Sequence, residues 1–346
     1  MGFMKFVKFL RLKLSSCKRV GGKRVAAFDI GDDDDDVEDY TLKSNSIFSW
    51  EEIQKLTMNL SMVIGYGGFS TVYLAHLPDS TTAAVKIQCS SERLNQAHKL
   101  ELEILQHLQH PNIVKIIGHC HDREEGILVL EHAPNGNLQE KLHGSSKNNN
   151  IHLSWKKRIS IAFQLAKAIE YLHKHPTLQI IHGDIKSSNI LLDQNLNCKL
   201  CDFGSSKMGF SSLVLNPNSN SFIRRNRVTM VGSPGYTDPH YLRTGLASKE
   251  NDIYSFGVVI LELITGIQAF NPSTGERLTV RAERVLNNVS KAVEIVDPRL
   301  EGDVDFEEVK AMAAISAMCF SDSPVHRPSA SDILNIMANK ISSISS

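Results

Sequence analysis

Two aspartates, a lysine and an asparagine lie at spacings that suit the transfer of a phosphoryl group. The segment HGDIKSSN contains Asp184, Lys186 and Asn189, and the triplet DFG, a short way along the chain, begins with Asp202. An aspartate can accept the proton of a hydroxyl group, and a lysine can stabilise charge on the transferred group. Carboxylate and amide oxygens suit Mg²⁺, which neutralises nucleotide phosphates in such reactions. The four residues therefore indicate a site for metal-assisted phosphoryl transfer.

These two segments resemble the HRDxKxxN and DFG signatures of the eukaryotic protein kinase family. An Asp-x-Lys pair alone is usually a solvated surface pair, so the resemblance depends on Asn189 and Asp202 at the matching spacing. It implies that Asp184 orients the substrate hydroxyl and accepts its proton, while Lys186 lies near the transferred phosphate. It also implies that Asn189 and Asp202 hold Mg²⁺, or Mn²⁺ in its place. Gly183 stands where the family usually has arginine.

A glycine-rich segment upstream, IGYGGFSTVY, resembles the loop that covers ATP in protein kinases. The resemblance implies nucleotide contacts from Ile64, Gly65, Gly67, Gly68 and Val72. Glycines let a backbone approach phosphates and adopt turns that other residues cannot. Ser70 stands at the family's third glycine, so we expect a stiffer loop. Glycine-rich hairpins are often only turns, so this segment alone is a weak signal.

A predicted strand and a predicted helix follow the loop. The segment AVKI resembles the VAIK strand, which implies that Ala84 and Lys86 contact the nucleotide, the lysine at the α- and β-phosphates. Apolar residues at helical spacing in LELEILQHLQHPNIV predict an amphipathic helix that carries Glu101 and Glu103. Either acid could be an ordinary solvated charge. The distance to the HPN triplet matches the family best for Glu101, which is therefore the predicted partner of Lys86.

The resemblance extends from about Phe48 to Ile341. The segment LVLEHAPNGNL resembles the hinge between two lobes, with Leu130 as the gatekeeper and Glu131 to Ala133 meeting adenine through the backbone. The segment NDIYSFGVVILELITG resembles the buried helix that supports the catalytic loop through Asp252. The sequences of these motifs are closest to those of plant receptor-like serine/threonine kinases. Since the chain has no recognisable receptor part, it most resembles their cytoplasmic subgroup.

The segment GSPGYTDPHY resembles the end of a kinase activation segment, which would run from Asp202 to Pro239. Thr229 and Ser233 are its candidate regulatory phosphosites. Because glycine replaces the arginine of the family's HRD motif, no cation there can pair with a phosphate on this segment. We therefore expect phosphorylation at Thr229 to be less necessary for activity. A lysine and the Ser233 hydroxyl that bracket Asp184 match the serine/threonine-kinase arrangement, while dual specificity remains open.

One position at the end of this segment departs from the family. The family has Pro-Glu, whose glutamate pairs with the arginine that Arg327 matches in HRPSA, whereas this chain has Pro239-His240. Histidine cannot form the two-pronged pair between a carboxylate and a guanidinium group. Two interpretations remain open: either another acid pairs with Arg327, or the larger lobe tolerates the loss. The consequence concerns stability more than chemistry.

The resemblance implies an α+β, two-lobed protein kinase fold. We expect a small N-lobe, about residues 58–132, of mainly antiparallel strands with one helix, and a larger, mainly helical C-lobe, about 133–341. The kinase domain as a whole is expected at 48–341. A basic amphipathic segment, residues 1–24, and an acidic disordered linker, residues 25–47, would precede it.

Length and composition agree with a large cytosolic domain. A chain of 346 residues can bury a large core, and its 38 basic and 38 acidic residues give a formal net charge of zero, which argues against nucleic-acid binding. The six cysteines are scattered, which favours reduced thiols over a disulfide framework. Cys198 and Cys201 form a Cys-x-x-Cys pair, but they face opposite sides of a predicted strand, so a metal or redox pair is not expected. No apolar run is long enough for a transmembrane helix.

The basic segment 1–24 is expected to bind an anionic membrane surface. On a helical wheel its apolar and basic residues gather on opposite sides, a pattern typical of a helix that lies on lipid. Cys17 is a candidate for palmitoylation; Gly2 invites myristoylation, but Phe6 stands where that motif needs Ser or Thr. A transit peptide and an unspecific tail remain alternatives. The aspartates from Asp32 to Asp36 are either a solvated linker or a segment that folds back and weakens the membrane contact.

Two classes of function fit the sequence. The first is an active, ATP-dependent serine/threonine kinase that phosphorylates protein substrates in the cytoplasm or at the cytoplasmic face of the plasma membrane, and relays a signal from a receptor or co-receptor. The second is a scaffold or adaptor with a kinase fold and weak catalysis, which Gly183, Ser70 and His240 favour. The nucleotide-binding lysine, the base and both metal ligands are present, which favours the first.

Overall fold

The described residues form ten strands and eleven α-helices across the predicted kinase domain. The computed structural model describes residues 46–144, 152–175, 178–209, 232–300 and 302–345. Its strands are β1 (Ser46–Phe48), β2 (Val63–Tyr66), β3 (Ser70–His76), β4 (Thr82–Gln88), β5 (Ile116–Cys120), β6 (Ile127–Glu131), β7 (Gln179–Ile181), β8 (Ile190–Leu192), β9 (Cys198–Leu200) and β10 (Lys207–Gly209). Its α-helices are α1 (Trp50–Leu56), α2 (Glu92–His107), α3 (Leu138–His143), α4 (Trp155–Lys174), α5 (Pro239–Thr244), α6 (Lys249–Thr265), α7 (Leu278–Arg281), α8 (Glu283–Leu286), α9 (Phe306–Cys319), α10 (Ala330–Lys340) and α11 (Ser342–Ser345). The segment 1–24 with Cys17, the linker up to residue 45, and Thr229 lie outside the described residues.

The smaller lobe is a six-stranded sheet with one long helix packed against it. The strand order is β1-β5-β6-β4-β3-β2, and every pair is antiparallel except β1 with β5. Residues alternate across β4, so Ala83 and Val85 are buried in the core while Lys86 lies on the opposite face. The helix α2 buries Glu101, Ile104 and Leu105. A lysine of the sheet and a glutamate of the helix therefore meet between the two layers.

A short strand and a helix before the glycine-rich segment complete this lobe. The strand β1 lies beside β5, where Gly118 has no side chain to collide with the Ser46 carbonyl oxygen and the Phe48 ring. Ser49 caps α1 in a capping box with Glu52, and Ile53 of that helix is fully buried. The first described strand thus begins two residues before the predicted start of the kinase domain.

The larger lobe is helical and is built around α6. Nearly every residue of α6 is buried, and α4 and α9 pack against it. This is the buried helix predicted around Asp252, and its apolar residues on all sides explain why it lies at the centre of the lobe. The two-lobed α+β architecture that the sequence predicted is confirmed. Within the described ranges, no helix combines the length and apolar character needed to cross a bilayer.

The two cysteines of the Cys-x-x-Cys pair flank β9: Cys198 is its first residue, and Cys201 follows its last. Cys198 is fully buried, and burial raises the pKa of its thiol to about 12. Because a thiolate is the form that binds metals and exchanges disulfides, this environment disfavours both activities.

A buried ion cluster joins α4 to the segment before α9. Asp297 accepts hydrogen bonds from Arg158 Nη2 at 2.7 Å and from Arg299 Nη2 at 2.7 Å. Burial alone would raise the pKa of Asp297, but the hydrogen bonds from Arg299 and Arg158 outweigh it and lower the pKa to about 2. The folded state is therefore stabilised by this carboxylate above pH ~4, where an unfolded aspartate is ionised, and loses that stabilisation as the pH falls toward 2.

This cluster predicts a specific pH dependence of stability. The difference in free energy of unfolding between the parent and Asp297→Asn is expected to narrow by about 1 kcal/mol between pH 6 and pH 3, because Asp297 takes up a proton in the unfolded parent while it stays ionised in the folded parent. Urea unfolding at several pH values measures it. A difference that stays constant over this range would contradict the prediction.

Candidate active site

Lys86 lies at the centre of an ion cluster between the lobes. Its Nζ atom donates hydrogen bonds to Glu101 Oε1 at 3.0 Å, to Glu101 Oε2 at 2.8 Å and to Asp202 Oδ1 at 2.9 Å. Burial alone would lower the pKa of Lys86, but the carboxylates of Glu101 and Asp202 outweigh it and raise the pKa above its usual value. Lys86 is therefore a fixed cation, and its partner on α2 is Glu101.

Asp202 reaches this cluster from the larger lobe. Its backbone lies in the left-handed region, with φ of +67°, which turns the chain sharply after β9. The next residue, Phe203, is fully buried, and its ring packs edge-on against the ring of His182 with centroids 4.8 Å apart. The Asp202 side chain remains 45% exposed toward the cleft. One of its oxygens is held by Lys86, and the other is left for a ligand.

Asp184 is held by donors on both of its carboxylate oxygens. Oδ1 accepts from the Ser233 hydroxyl at 2.7 Å, and Oδ2 accepts from Lys186 Nζ at 2.6 Å. Lys186 also donates to the Ser233 oxygen at 2.9 Å, so the three groups form a closed triangle. Asn189 Nδ2 donates to the Asp184 carbonyl at 2.9 Å. Ser233, predicted only as a phosphosite and a bracketing hydroxyl, is thus in direct contact with the candidate base.

The loop that presents Asp184 is attached to α6 through Asp252. Asp252 Oδ2 accepts from the His182 backbone at 2.8 Å and from His173 Nε2 at 2.9 Å, while Oδ1 accepts from the Gly183 backbone at 2.9 Å. Gly183 has a φ of +78°, and a Cβ added there would come within 3.1 Å of the Ser205 carbonyl oxygen. Glycine adopts this left-handed conformation without the strain that a side chain would cause there.

The residues predicted to hold a metal ion offer the atoms that Mg²⁺ prefers. The Asn189 amide nitrogen is already bound to Asp184, so its oxygen is the end left for a metal. The second oxygen of Asp202 is also open to the cleft, because Lys86 holds only Oδ1. One amide oxygen and one carboxylate oxygen fit a hard cation that keeps several waters and binds phosphate oxygens as well.

A single cleft brings together the residues predicted to bind the nucleotide. They are Ile64, Gly65, Gly67, Gly68, Val72, Ala84, Lys86, Glu101, Leu130, Glu131 and Ala133. The same cleft reaches Lys186, Asn189 and Asp202. The Glu131 carboxylate is bound by Lys199 Nζ at 2.8 Å and by the Lys115 backbone N–H at 2.7 Å, and the Glu131 N–H donates to the Lys115 carbonyl at 2.9 Å. The carbonyl oxygen is therefore the polar group of Glu131 that these contacts leave for an adenine.

Asp238 is the acid that pairs with Arg327. Arg327 Nη1 donates to Asp238 Oδ2 at 2.6 Å and Nη2 donates to Oδ1 at 3.1 Å, a two-pronged pair with both side chains buried. Asp238 also caps α5 by accepting from the His240 backbone at 2.8 Å. Of the two interpretations of His240, the first describes this structure: another acid takes over. The sequence signal was an aspartate two residues before the expected position.

Sequence reasoning missed a buried carboxylate beneath the catalytic loop. Glu262 of α6 accepts from the Tyr236 hydroxyl at 2.7 Å, from the Ser187 hydroxyl at 3.2 Å and from His143 Nε2 at 2.9 Å. It thereby joins the catalytic loop to the end of the activation segment and to α3. The available signal was that Glu262 is the one charged residue in the apolar run from Ile253 to Ile264.

The sequence of this chain is similar to those of known proteins of one family. Residues 58–337 match the family model described as the protein kinase domain. The chain is 49% identical over 308 residues to a probable receptor-like protein kinase of Arabidopsis thaliana, an alignment that covers 86% of this chain and 89% of that protein. It is 47% identical over 302 residues to the salt tolerance receptor-like cytoplasmic kinase 1 of Oryza sativa subsp. japonica, covering 86% of this chain and 81% of that protein.

A more distant relative extends this likeness to larger receptors. A probable LRR receptor-like serine/threonine-protein kinase of Arabidopsis thaliana is 36% identical over 296 residues, which cover 85% of this chain and 33% of that protein. The predicted family is confirmed. The chain belongs to the protein kinase family, as a serine/threonine protein kinase related to the plant receptor-like kinases.

Proposed function

We propose that this kinase transfers the γ-phosphate of Mg-ATP to serine and threonine hydroxyls of protein substrates. The observation that supports it best is the hydrogen-bonded triangle of Asp184, Lys186 and Ser233, whose lysine lines the same cleft as Lys86 and Asp202. The base and the cation are both held by contacts within the protein, an arrangement that reduces the reorganisation needed for catalysis.

Each residue has a role that its contacts suggest. Lys86 would hold the α- and β-phosphates, because Glu101 fixes its ammonium group in the cleft. Mg²⁺ supplies charge neutralisation at the phosphates when it is bound by Asn189 and Asp202. Asp184 would receive the substrate hydroxyl, since a carboxylate has about four acceptor positions and the described contacts do not fill them all.

The decisive experiment measures transfer of labelled phosphate from Mg-ATP to the protein itself and to a generic basic substrate. Incorporation on serine or threonine that is lost in Asp184→Asn would support the proposal. No incorporation, with measurable ATP binding, would favour the second candidate, a scaffold or adaptor with a kinase fold. Gly183, Ser70 and His240 are the departures from the family that favour that candidate.

The membrane context is a separate proposal that rests on sequence. The segment 1–24 would hold the kinase at an anionic cytoplasmic leaflet, near a receptor or co-receptor, with Cys17 as the lipidation candidate. The relatives named as receptor-like kinases support this setting. At about 1 kcal/mol for each basic residue close to the surface, several together suffice for binding.

The acidic run offers a test of that proposal. Replacing the aspartates from Asp32 to Asp36 by asparagine is expected to strengthen binding to anionic liposomes, because the run would no longer compete for the basic segment. Co-sedimentation with liposomes that contain anionic lipid measures it, and neutral liposomes are the control. Unchanged binding would count against a fold-back role for the run.

Phosphorylation of the activation segment gives another prediction. Thr229→Ala is expected to keep more than about a tenth of the parent rate, because Gly183 supplies no cation that a phosphate could order. Initial rates of peptide phosphorylation by the two proteins measure it. A larger loss would show that the segment depends on a phosphate at Thr229 despite the glycine.

A further inference from the structure

We propose that Ser70 binds the terminal phosphate of the nucleotide through its hydroxyl group, and that Gln88 positions that hydroxyl. This inference deepens the proposed function and depends on it. Both residues are polar side chains under the glycine-rich loop, at positions that the catalytic set does not use.

The strand register places the two side chains beside each other in the cleft. Ser70 of β3 lies directly opposite Gln88 of β4, and Val72 lies opposite Lys86. Residues two apart in a strand share a face, so Ser70 and Gln88 lie on the face of Val72 and Lys86. All four residues line the cleft. Ser70 and Gln88 are thus the next polar pair after Lys86, toward the tip of the loop.

The position of Ser70 and Gln88 along their strands places them near the terminal phosphate of the nucleotide. Two residues of a strand span about 7 Å, so the pair lies beyond the α- and β-phosphates proposed for Lys86. A Cβ added at Gly67 would come within 2.5 Å of the Ser70 hydroxyl oxygen. The hydroxyl therefore lies immediately beside the backbone of the loop that covers the phosphates.

Both polar groups have bonding capacity left over. Gln88 is only 9% exposed, and its Oε1 atom is buried without a hydrogen-bond partner among the described residues. The Ser70 hydroxyl likewise makes no hydrogen bond to another described residue. A buried amide oxygen without a partner is costly, so a hydrogen-bond partner is expected when the site is filled. A change of the Gln88 side-chain rotamer would let its amide nitrogen donate to the Ser70 oxygen while the Ser70 hydroxyl donates to a phosphate oxygen.

Binding affinities of the full chain for Mg-ATP, Mg-ADP and adenosine test this assignment. Ser70→Ala is expected to weaken ATP binding about tenfold while ADP and adenosine change by less than about twofold, because only the terminal phosphate loses a hydrogen bond. Ser70→Gly should behave in the same way. The matched control is Thr71→Ala, which removes a neighbouring hydroxyl on the opposite face of β3.

A double substitution tests the role of Gln88. If Gln88 acts through Ser70, Gln88→Leu weakens ATP binding in the parent but adds no further loss in Ser70→Ala. An independent loss of the same size in both backgrounds would overturn this positioning role.

Other outcomes separate this inference from the proposed function. Equal ATP affinity of Ser70→Ala and Thr71→Ala, an equal loss for ADP and ATP, or tighter ATP binding by Ser70→Gly would each overturn the assignment while the kinase function stands. If the parent binds ATP no better than adenosine, phosphate recognition is absent, and the proposed function fails together with the inference.

Discussion

Replacing Asp238 by asparagine is expected to lower the free energy of unfolding by about 3–5 kcal/mol. The reason is that Arg327 would remain buried without an opposite charge, since its side chain is only 2% exposed in the native state. Asparagine keeps the shape of the side chain and can still accept from the His240 backbone, so the cap of α5 survives. The loss therefore reports the buried contacts of the Asp238 carboxylate with Arg327 and with Asn251 Nδ2, which donates to Oδ2 at 2.7 Å, and not the cap. Urea unfolding with fluorescence detection measures it.

His240 provides the comparison. His240→Glu restores the residue that the family has, yet it is expected to change stability by less than about 1 kcal/mol, because Asp238 already occupies Arg327. In Asp238→Ala, however, the added His240→Glu should recover part of the loss if glutamate can reach the guanidinium group. The matched control is Asp322→Asn, a substitution of the same type at an exposed position.

Two results would contradict this account of the pair. One is a loss below about 1 kcal/mol for Asp238→Asn, which is the size expected of an exposed ion pair. The other is a large gain in stability from His240→Glu alone, which would mean that Arg327 lacks a sufficient partner in the parent. Nucleotide affinity should stay constant in all these variants, because the pair lies outside the cleft.

The Arg327 pair also marks a limit of sequence reasoning. Family spacing assigned the partner to position 240, because an alignment gives positions along the chain and not side-chain directions. Asp238 is the N-cap of α5, and this geometry turns its carboxylate toward Arg327, while His240 lies in the first turn of the helix. The position at which the six-residue helix α5 begins therefore decides whether residue 238 or residue 240 reaches the buried Arg327.

The catalytic loop was predictable for the opposite reason. Asp184, Lys186 and Asn189 lie within one short loop, so their spacing nearly fixes their relative positions. The contact between Lys86 and Glu101 was expected from the resemblance to the VAIK strand and from the distance to the HPN triplet, and the alternation of β4 and the burial of Glu101 in α2 agree with it. Motif spacing therefore predicted most of the site, whereas helical periodicity alone left Glu101 and Glu103 as alternatives.

Contacts between segments that are distant along the chain could not be predicted from the sequence. The strand β1 has three residues and no clear alternation, and its pairing depends on the missing side chain of Gly118 in β5. Glu262 could be recognised as an unusual acid in an apolar helix, but its partners come from three other segments. Such features depend on how the lobe packs, which no short motif encodes.

Asp184→Asn is expected to lower the rate of phosphoryl transfer by about 10²–10⁴-fold without weakening ATP binding. An amide cannot take the proton of the substrate hydroxyl. It also leaves Lys186 without the carboxylate that its ammonium group contacts at 2.6 Å. Because Asp184 has its own contacts apart from the cluster of Lys86 and Asp202, nucleotide affinity should be preserved. Single-turnover rates, ATP affinity and thermal stability are to be measured on the same preparation.

Variants of Ser233 distinguish the role of the base, Asp184, from the role of the hydroxyl group that hydrogen-bonds to it. Ser233→Ala keeps the carboxylate but removes a hydrogen bond of 2.7 Å, so a loss of about tenfold is expected, well short of that of Asp184→Asn. Ser233→Asp would place a second negative charge against Asp184 and should abolish transfer, which predicts that a phosphate on Ser233 inhibits the kinase. Asp322→Asn again serves as the control for a change of charge at an exposed site. A Ser233→Asp protein with the parent rate would mean that the triangle of Asp184, Lys186 and Ser233 opens during turnover. An Asp184→Asn protein with more than about a tenth of the parent rate would mean that Asp184 is not the base.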